Sequence, residues 1–350
     1  MRALVKFGPQ DGNVEIRDLP EPVLLAGTVR VRIVSVGVCG SDLHMWRNTQ
    51  SWPTRLPVTL GHEAAGVVES VGDGVDGWRV GDRVVCETAA FICGVCALCR
   101  SGRYNLCPSR EGYGATRDGA FGELLVAEPR VLHHIPDSVT FDQAALTEPF
   151  CVAYNALVER CPVTPGDIVV IQGAGAIGSL ALQVARLQGA GCTVVLGTSV
   201  DRHRLAVASE AGADHVLDVT SADPVELLTG LGDGLGADVV VDATGVSAAL
   251  VQALDLVRPL GSIAKIGWGP QPLGASLDPL VAKAVTLYGS FSHTWKTWER
   301  VLGLFATGQL RPADVIGGVY GLDEWVSAFE DMEGGRNIKS VVRMGAWNHP

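Results

Sequence analysis

Four cysteines crowd into fifteen residues: Cys93, Cys96, Cys99 and Cys107 run C-x2-C-x2-C-x7-C, with Gly94 and Gly102 easing the turns. Thiolates at that spacing close a tetrahedron around one Zn²⁺ and leave no open coordination position, so such a centre braces a lobe and cannot activate water. A second set is dispersed. Cys39 stands in Gly37-Val38-Cys39-Gly40-Ser41-Asp42-Leu43-His44, and His62 with Glu63 in Gly61-His62-Glu63-Ala64-Ala65-Gly66. A thiolate, an imidazole and a carboxylate leave the fourth position of a zinc ion to water or substrate. Their charges cancel that of the ion, which suits stabilisation of an alcohol oxygen as its proton leaves. The reading requires these distant residues to converge; singly, each reads as an ordinary core or surface side chain. The third feature is G-x-G-x-x-G, Gly173-Ala174-Gly175-Ala176-Ile177-Gly178, directly after Ile168-Val169-Val170-Ile171 and before a helix-like stretch from Ser179 to Leu187. In that setting the first glycine allows the tight turn, the second admits a pyrophosphate and the third lets helix pack on strand. The phosphates then meet the positive end of the helix.

The elements that must carry these residues fall into two textures. Up to about residue 150, short β-branched runs such as Val29 to Val38, Ala64 to Val71 and Phe121 to Ala127 alternate with Gly, Pro and Asp turn clusters, which predicts a β-rich domain. From Asp167, apolar runs at Ile168 to Ile171, Thr193 to Leu196, Val216 to Val219, Val239 to Val241 and Ser262 to Ile266 alternate with helix-like stretches, the sign of a parallel α/β sheet. The end of the chain has helix-like Trp298 to Thr307 and Leu322 to Glu333 and a strand-like Lys339 to Arg343, and is expected to return to the first domain. The division expected is residues 1–150 with 295–350 as a discontinuous zinc-binding catalytic domain, and 151–294 as a dinucleotide-binding domain.

With 27 Lys and Arg against 38 Asp and Glu, the net charge of −11 excludes nucleic acid and an anionic membrane as expected partners. The longest apolar stretch is broken by Gln172, Gln183, Arg186 and glycines, so no membrane span is expected. Met1 to Lys6 reads as a strand rather than a signal peptide, and nine cysteines without an export signal fit metal or thiol chemistry in a reducing compartment. The cytoplasm is the expected location. Cys86, Cys151, Cys161 and Cys192 are isolated and read as core.

Gly61-His62-Glu63 followed by Gly66, Gly72 and Val75, with Cys39, the four-cysteine loop and the glycine loop in the same order, resembles the zinc signature of the medium-chain alcohol dehydrogenase superfamily over essentially the whole chain. Within it the chain looks most like the polyol (sorbitol or L-iditol) dehydrogenases and their L-threonine dehydrogenase relatives. The resemblance implies an α/β protein with a GroES-like catalytic domain and a Rossmann domain with a doubly wound parallel sheet. It implies two zinc ions per chain, a nicotinamide cofactor, a small-molecule alcohol or ketone substrate, and a homodimer or homotetramer. It assigns Ser41 and His44 to a proton relay, and Gly173, Gly175, Ala176, Ile177, Gly178, Ser199 and Arg204 to the cofactor. Thr147-Glu148-Pro149 stands where alcohol dehydrogenases proper carry a cysteine, as in the polyol branch, so Glu148 is expected at the catalytic zinc, by an indirect or intermittent contact. Asp42 is expected to orient a zinc ligand.

At the end of the second strand of the α/β domain, the place of an acid for the ribose 2′-hydroxyl falls on Ser199. A small hydroxyl with Arg202 or Arg204 nearby favours a 2′-phosphate and hence NADP, with Asp201 as the competing candidate. Where sorbitol dehydrogenases carry polar pocket contacts, this chain has Met45, Ser292 and His293, so with Trp46 and Trp295 a more apolar and aromatic pocket is expected. The function implied is reversible oxidation of a secondary alcohol, of the polyol, sugar, cyclitol or amino alcohol class, by hydride transfer. The alternatives are a zinc-independent quinone or enoyl reductase and a non-catalytic nucleotide-binding scaffold of the same superfamily. Both are disfavoured by the presence of Cys39, His62 and Glu63.

Overall fold

The computed structural model describes residues 1–345 and divides into two compact units, one made of Met1–Glu148, His293–Gly308 and the segment from Ile316 onward, the other of Pro149–Ser292 and Gln309–Val315. The first unit is built on a seven-stranded, mostly antiparallel sheet. At its centre is Val29–Gly37, whose β-branched residues are buried on both faces toward its end. It pairs antiparallel with Glu63–Val71, Leu124–Ala127 and Lys339–Arg343. The last of these brings the end of the chain back to the central strand of the first unit. Register does the positioning: Gly37 lies opposite Glu63 on one side and Val341 on the other. The start of one strand and of another are thereby drawn to the place where the central strand ends and Cys39 follows.

Gly37 is required there. A Cβ on it would fall 2.0 Å from Glu63 Oε2, so only a residue without a side chain leaves room for that carboxylate. Beneath the sheet, the helix Trp325–Glu333 buries Trp325, Ala328, Phe329 and Met332, the three-and-four spacing of one helix face. Trp325 and Phe329 meet Trp46 edge-on, with ring centroids 5.8 Å apart in each case. Trp46 and Met45 are 6 % and 2 % exposed within this core, which corrects the expectation that they line a substrate pocket.

The second unit has a six-stranded, all-parallel sheet. Numbered along the chain its strands are Ile168–Gln172, Cys192–Gly197, His215–Asp218, Ala237–Asp242, Val257–Lys265 and Thr286–Gly289, in spatial order 3-2-1-4-5-6. That is the doubly wound order whose direction reverses between strands one and four, where dinucleotides bind in such sheets. The near-continuous apolar runs of strands one, two and four are buried, as a sheet covered on both faces demands. The short segment at 309–315 belongs here because Gln183 holds the Arg311 backbone by two hydrogen bonds, 2.9 and 3.2 Å. Among the described residues no helix is long and apolar enough to cross a membrane.

Candidate active site

The strand Val29–Gly37 ends at Val38-Cys39, and the helix Gly40–Trp46 begins at once. Asp42 fixes this corner. It is 1 % exposed, and its carboxylate accepts from the Cys39 backbone N–H at 2.9 Å and from that of Gly61 at 3.3 Å. The same carboxylate lies 3.9 Å from His62 Nδ1. One buried acid thus ties together the two backbone segments that carry Cys39 and His62.

Donor atoms of Cys39, His62 and Glu63 all lie within 4.8 Å of one another. Glu63 is fully buried; its Oε1 is 2.5 Å from Lys339 Nζ, and its Oε2 has no hydrogen-bond partner. A buried carboxylate oxygen left without a donor is costly. A Glu63 oxygen, the Cys39 sulfur and a His62 ring nitrogen stand close enough together for one divalent cation to satisfy all three, so the residues fit zinc. The protonation tendencies agree. Burial pushes the Glu63 carboxyl up, against the pull of Lys339. Burial alone would lower His62, but the Cys39 sulfur, then Asp42 and Glu148, raise it well above its ordinary value. Glu148 is 7 % exposed and accepts from His293 at 2.9 Å; burial raises its carboxyl, but that hydrogen bond and the surrounding positive groups bring it below its ordinary value.

Ser41 and His44 are three apart on the helix Gly40–Trp46 and share its outer face, whereas Asp42, Met45 and Trp46 form the buried face. The His44 ring is exposed, with Nδ1 2.9 Å from the Thr49 hydroxyl.

Cys93, Cys96, Cys99 and Cys107 also gather their sulfurs within 4.8 Å. The Cys93–Cys107 and Cys93–Cys99 sulfur separations are 3.6 and 4.0 Å. Four sulfurs at zinc–thiolate distance stand about 3.8 Å apart in a tetrahedron, so this loop too fits the ion. Backbone N–H groups of Val95 and Cys96 lower the Cys93 thiol to about 6, whereas burial and the neighbouring cysteines push Cys99 up to about 12. Tyr104, within the loop, donates to the buried Glu87. His133 reaches Glu87 at 3.1 Å and Glu299 at 2.6 Å. This buried network carried no spacing signal. Cys86, Cys151 and Cys161 are buried and Cys192 half-buried, in keeping with their reading as core.

In the second unit the strand Ile168–Gln172 runs into Gly173 and then the helix Ala176–Leu187. A Cβ on Gly178 would lie 1.8 Å from the Gly173 carbonyl oxygen, so the helix can start this close to the strand only with glycine there. A Cβ on Gly175 would meet nothing within 4 Å: it would project into open space at the helix N-terminus, the room a pyrophosphate needs. Ala176 and Ile177 open the helix. Beyond the second strand, Ser199 is exposed. Asp201 is occupied, accepting from the Thr198 backbone and hydroxyl, each at 3.0 Å, and pairing with Arg204 at 3.2 Å, while Arg202 is exposed.

Two residues outside the expected set are buried against it, Lys339 and Trp298. His293, expected to line the pocket, is 1 % exposed and bonded to Glu148 and Trp298, whereas Trp295 is 52 % exposed.

Residues 25–137 match the alcohol dehydrogenase GroES-like domain family, and residues 176–307 match the zinc-binding dehydrogenase family. The chain is 38 % identical to a sorbitol dehydrogenase of Halalkalibacterium halodurans, over 98 % of this chain and 99 % of that protein. It is 35 % identical to an L-threonine 3-dehydrogenase of Pyrococcus furiosus over 98 % and 99 %. A zinc-binding dehydrogenase from Sinorhizobium meliloti 1021, determined bound to NADP, superposes with a TM-score of 0.89 at 27 % identity, covering 98 % of this chain and 99 % of that one. With a metal-fitting thiolate, imidazole and carboxylate on one unit and a dinucleotide fold on the other, the chain belongs to the zinc-binding alcohol dehydrogenase family.

Proposed function

We propose that this protein oxidises a secondary alcohol of the polyol class to a ketone, reversibly, by hydride transfer to a nicotinamide cofactor. The observation that most supports the reading is the gathering of Cys39, His62 and Glu63 with one buried Glu63 oxygen left without a partner. Bound there, zinc supplies the positive charge that stabilises an alcohol oxygen as its proton leaves. Cys39, His62 and Glu63 hold the ion; Lys339 offsets the charge of Glu63. Ser41 accepts the hydroxyl proton, and His44, on the same helix face and exposed, delivers it to solvent. Gly175 and the N-terminus of the helix Ala176–Leu187 bind the cofactor pyrophosphate.

The polyol class follows from likeness to the sorbitol dehydrogenase above. The second zinc belongs to the four-cysteine loop, with a bracing role. We assign NADP as the favoured cofactor because Ser199 and Arg202 are both exposed beyond the second strand while Asp201 is engaged by Thr198 and Arg204. A homo-oligomer is inferred from the outermost strand Thr286–Gly289, which among the described residues is paired on one edge only, with Leu260 of the strand beside it and Val281 just before it 79 % and 83 % exposed. Nine cysteines without a disulfide fit the reducing cytoplasm.

The test combines metal analysis with turnover. Two zinc ions per chain are expected, falling to one in Cys39→Ala, together with loss of turnover on a panel of polyols, cyclitols and amino alcohols while cofactor still binds. Turnover retained in Cys39→Ala refutes the mechanism.

A further inference from the structure

Glu148 lies outside the set of donors formed by Cys39, His62 and Glu63. Its carboxylate has another partner: Oε1 is 2.9 Å from Nε2 of His293. On the far side of that ring, the indole nitrogen of Trp298 is 2.6 Å from Nδ1. An indole N–H can only donate, so Nδ1 is the acceptor and bears no proton. The single ring proton is therefore on Nε2 and is donated to Glu148. Neither alternative fits: a doubly protonated ring sets two N–H groups against each other at Trp298, and the opposite tautomer also turns a lone pair toward a carboxylate. Trp298 is itself fixed. It is 1 % exposed, stacked on His133 with centroids 5.4 Å apart, and edge-on to His293 at 5.1 Å.

We propose that His293 is a positioning residue for the reaction: held by Trp298 as the Nε2–H tautomer, it restrains Glu148 beside the metal centre and keeps it from becoming a permanent fourth ligand. The tether is neutral, so it holds the carboxylate without adding a second positive charge beside the one Lys339 brings. Substrate oxygen then competes with a restrained carboxylate rather than a free one. This inference rests on the zinc dehydrogenase reading and adds to it the means by which the fourth position stays available.

The experiment is a double-mutant cycle between His293 and Glu148, read by zinc affinity. The zinc that disappears in Cys39→Ala is titrated against a competing chelator, in the absence of substrate. His293→Leu frees Glu148 and is expected to tighten this zinc about tenfold, equivalent to about 1.4 kcal/mol, and to lower kcat/KM at least tenfold. In a Glu148→Gln background the same change should leave zinc affinity within twofold. His293→Gln, whose amide can donate to Glu148 and accept from Trp298, should return zinc affinity to near the native value. Trp298→Phe removes only the indole donor and should shift affinity in the same direction as His293→Leu, giving the same readout where the leucine variant does not fold. An equal effect of His293→Leu in both backgrounds, or looser zinc, overturns the proposal. Nitrogen-15 NMR of histidine-labelled, metal-free protein tests the tautomer directly: a bare Nδ1 and a protonated Nε2 on His293 support it, and any other state overturns it. Native protein that holds no Cys39-dependent zinc sinks the dehydrogenase reading instead, a result separable from an additive cycle in protein that does hold it.

Discussion

Replacing Lys339 by Met removes one half of a buried ion pair whose other half, Glu63, is a proposed metal ligand. Lys339 and Glu63 are 2 % and 0 % exposed, and Nζ is 2.5 Å from Oε1. Burial draws the Lys339 ammonium down, but Glu63 and Cys39 outweigh it and hold the group above its ordinary value. Its stabilisation is therefore complete below about pH 10 and is lost only as pH rises through the raised value, so pH 7 reads the full effect. Removing one partner of such a pair costs about 3–5 kcal/mol, because the remaining charge is left uncompensated. In metal-free protein Glu63 would then have neither Lys339 nor an ion, since its Oε2 has no partner either. At about 2–4 °C per kcal/mol for a unit of this size, the first unit's melting temperature should fall by about 6–20 °C. Zinc supplies Glu63 with a positive charge from the other side, so the zinc-loaded variant should lose well under half of that. Calorimetry at one scan rate, with and without zinc, measures both. Adding Glu63→Gln removes the stranded charge and should recover most of the loss in metal-free protein. A drop below about 2 °C, or the same drop with and without zinc, would refute the reasoning, because either means that Lys339 does not balance the ligand (limits set by the same conversion).

The glycine loop allows a paired test. Gly175→Ala enters open space and should leave stability unchanged while weakening cofactor binding at least tenfold, whereas Gly178→Ala meets the Gly173 carbonyl and should destabilise the second unit as well; equal denaturation midpoints would count against this account. In metal-stripped protein at pH 7, Cys93 should alkylate well before Cys99, since the thiolate of Cys93 predominates above about pH 6 and that of Cys99 only near 12; peptide mapping reads the order, and zinc should protect both. Ser199→Asp should move the ratio of kcat/KM values at least tenfold from NADP toward NAD, with Arg202→Ala acting in the same direction; an unchanged ratio removes the 2′-phosphate assignment.

What was legible in the sequence was whatever depends on short spacing or on strand period. The four-cysteine loop, the strand-to-helix glycine turn and the five apolar runs of the parallel sheet fall there. The sixth strand, Thr286–Gly289, was missed because a four-residue edge strand with three exposed positions carries no buried run. Correspondence with a sorbitol dehydrogenase position puts Met45, and Trp46 beside it, in a pocket, yet both lie on the buried face of their helix, packed in the core. Lys339 could not be recognised. A lysine at the start of the short strand Lys339–Arg343 reads as solvent-facing, and only pairing of that strand against Val29–Gly37 brings it to Glu63. The tie between His293 and Glu148 spans 145 residues, a separation at which one sequence gives no signal.

The charges around the site explain why these long-range partners have to be there. Cys39, Glu63, Glu148 and Asp42 all face His62 or one another, with Lys339 buried among them and His62 drawn toward its protonated form. Without an ion, the buried groups are pushed toward taking up protons: Asp42 and Glu63 are raised by burial, and His62 by its acidic neighbours against burial. A divalent cation removes that demand, which couples metal binding to proton release and to stability of the first unit. Glu148 is the exception, with His293 as its direct partner at 2.9 Å. A carboxylate already satisfied by a neutral donor has less to gain from the ion than Glu63, whose second oxygen has no other partner. The proposed division of roles, Glu63 as a ligand and Glu148 as its restrained neighbour, rests on that difference between the two glutamates.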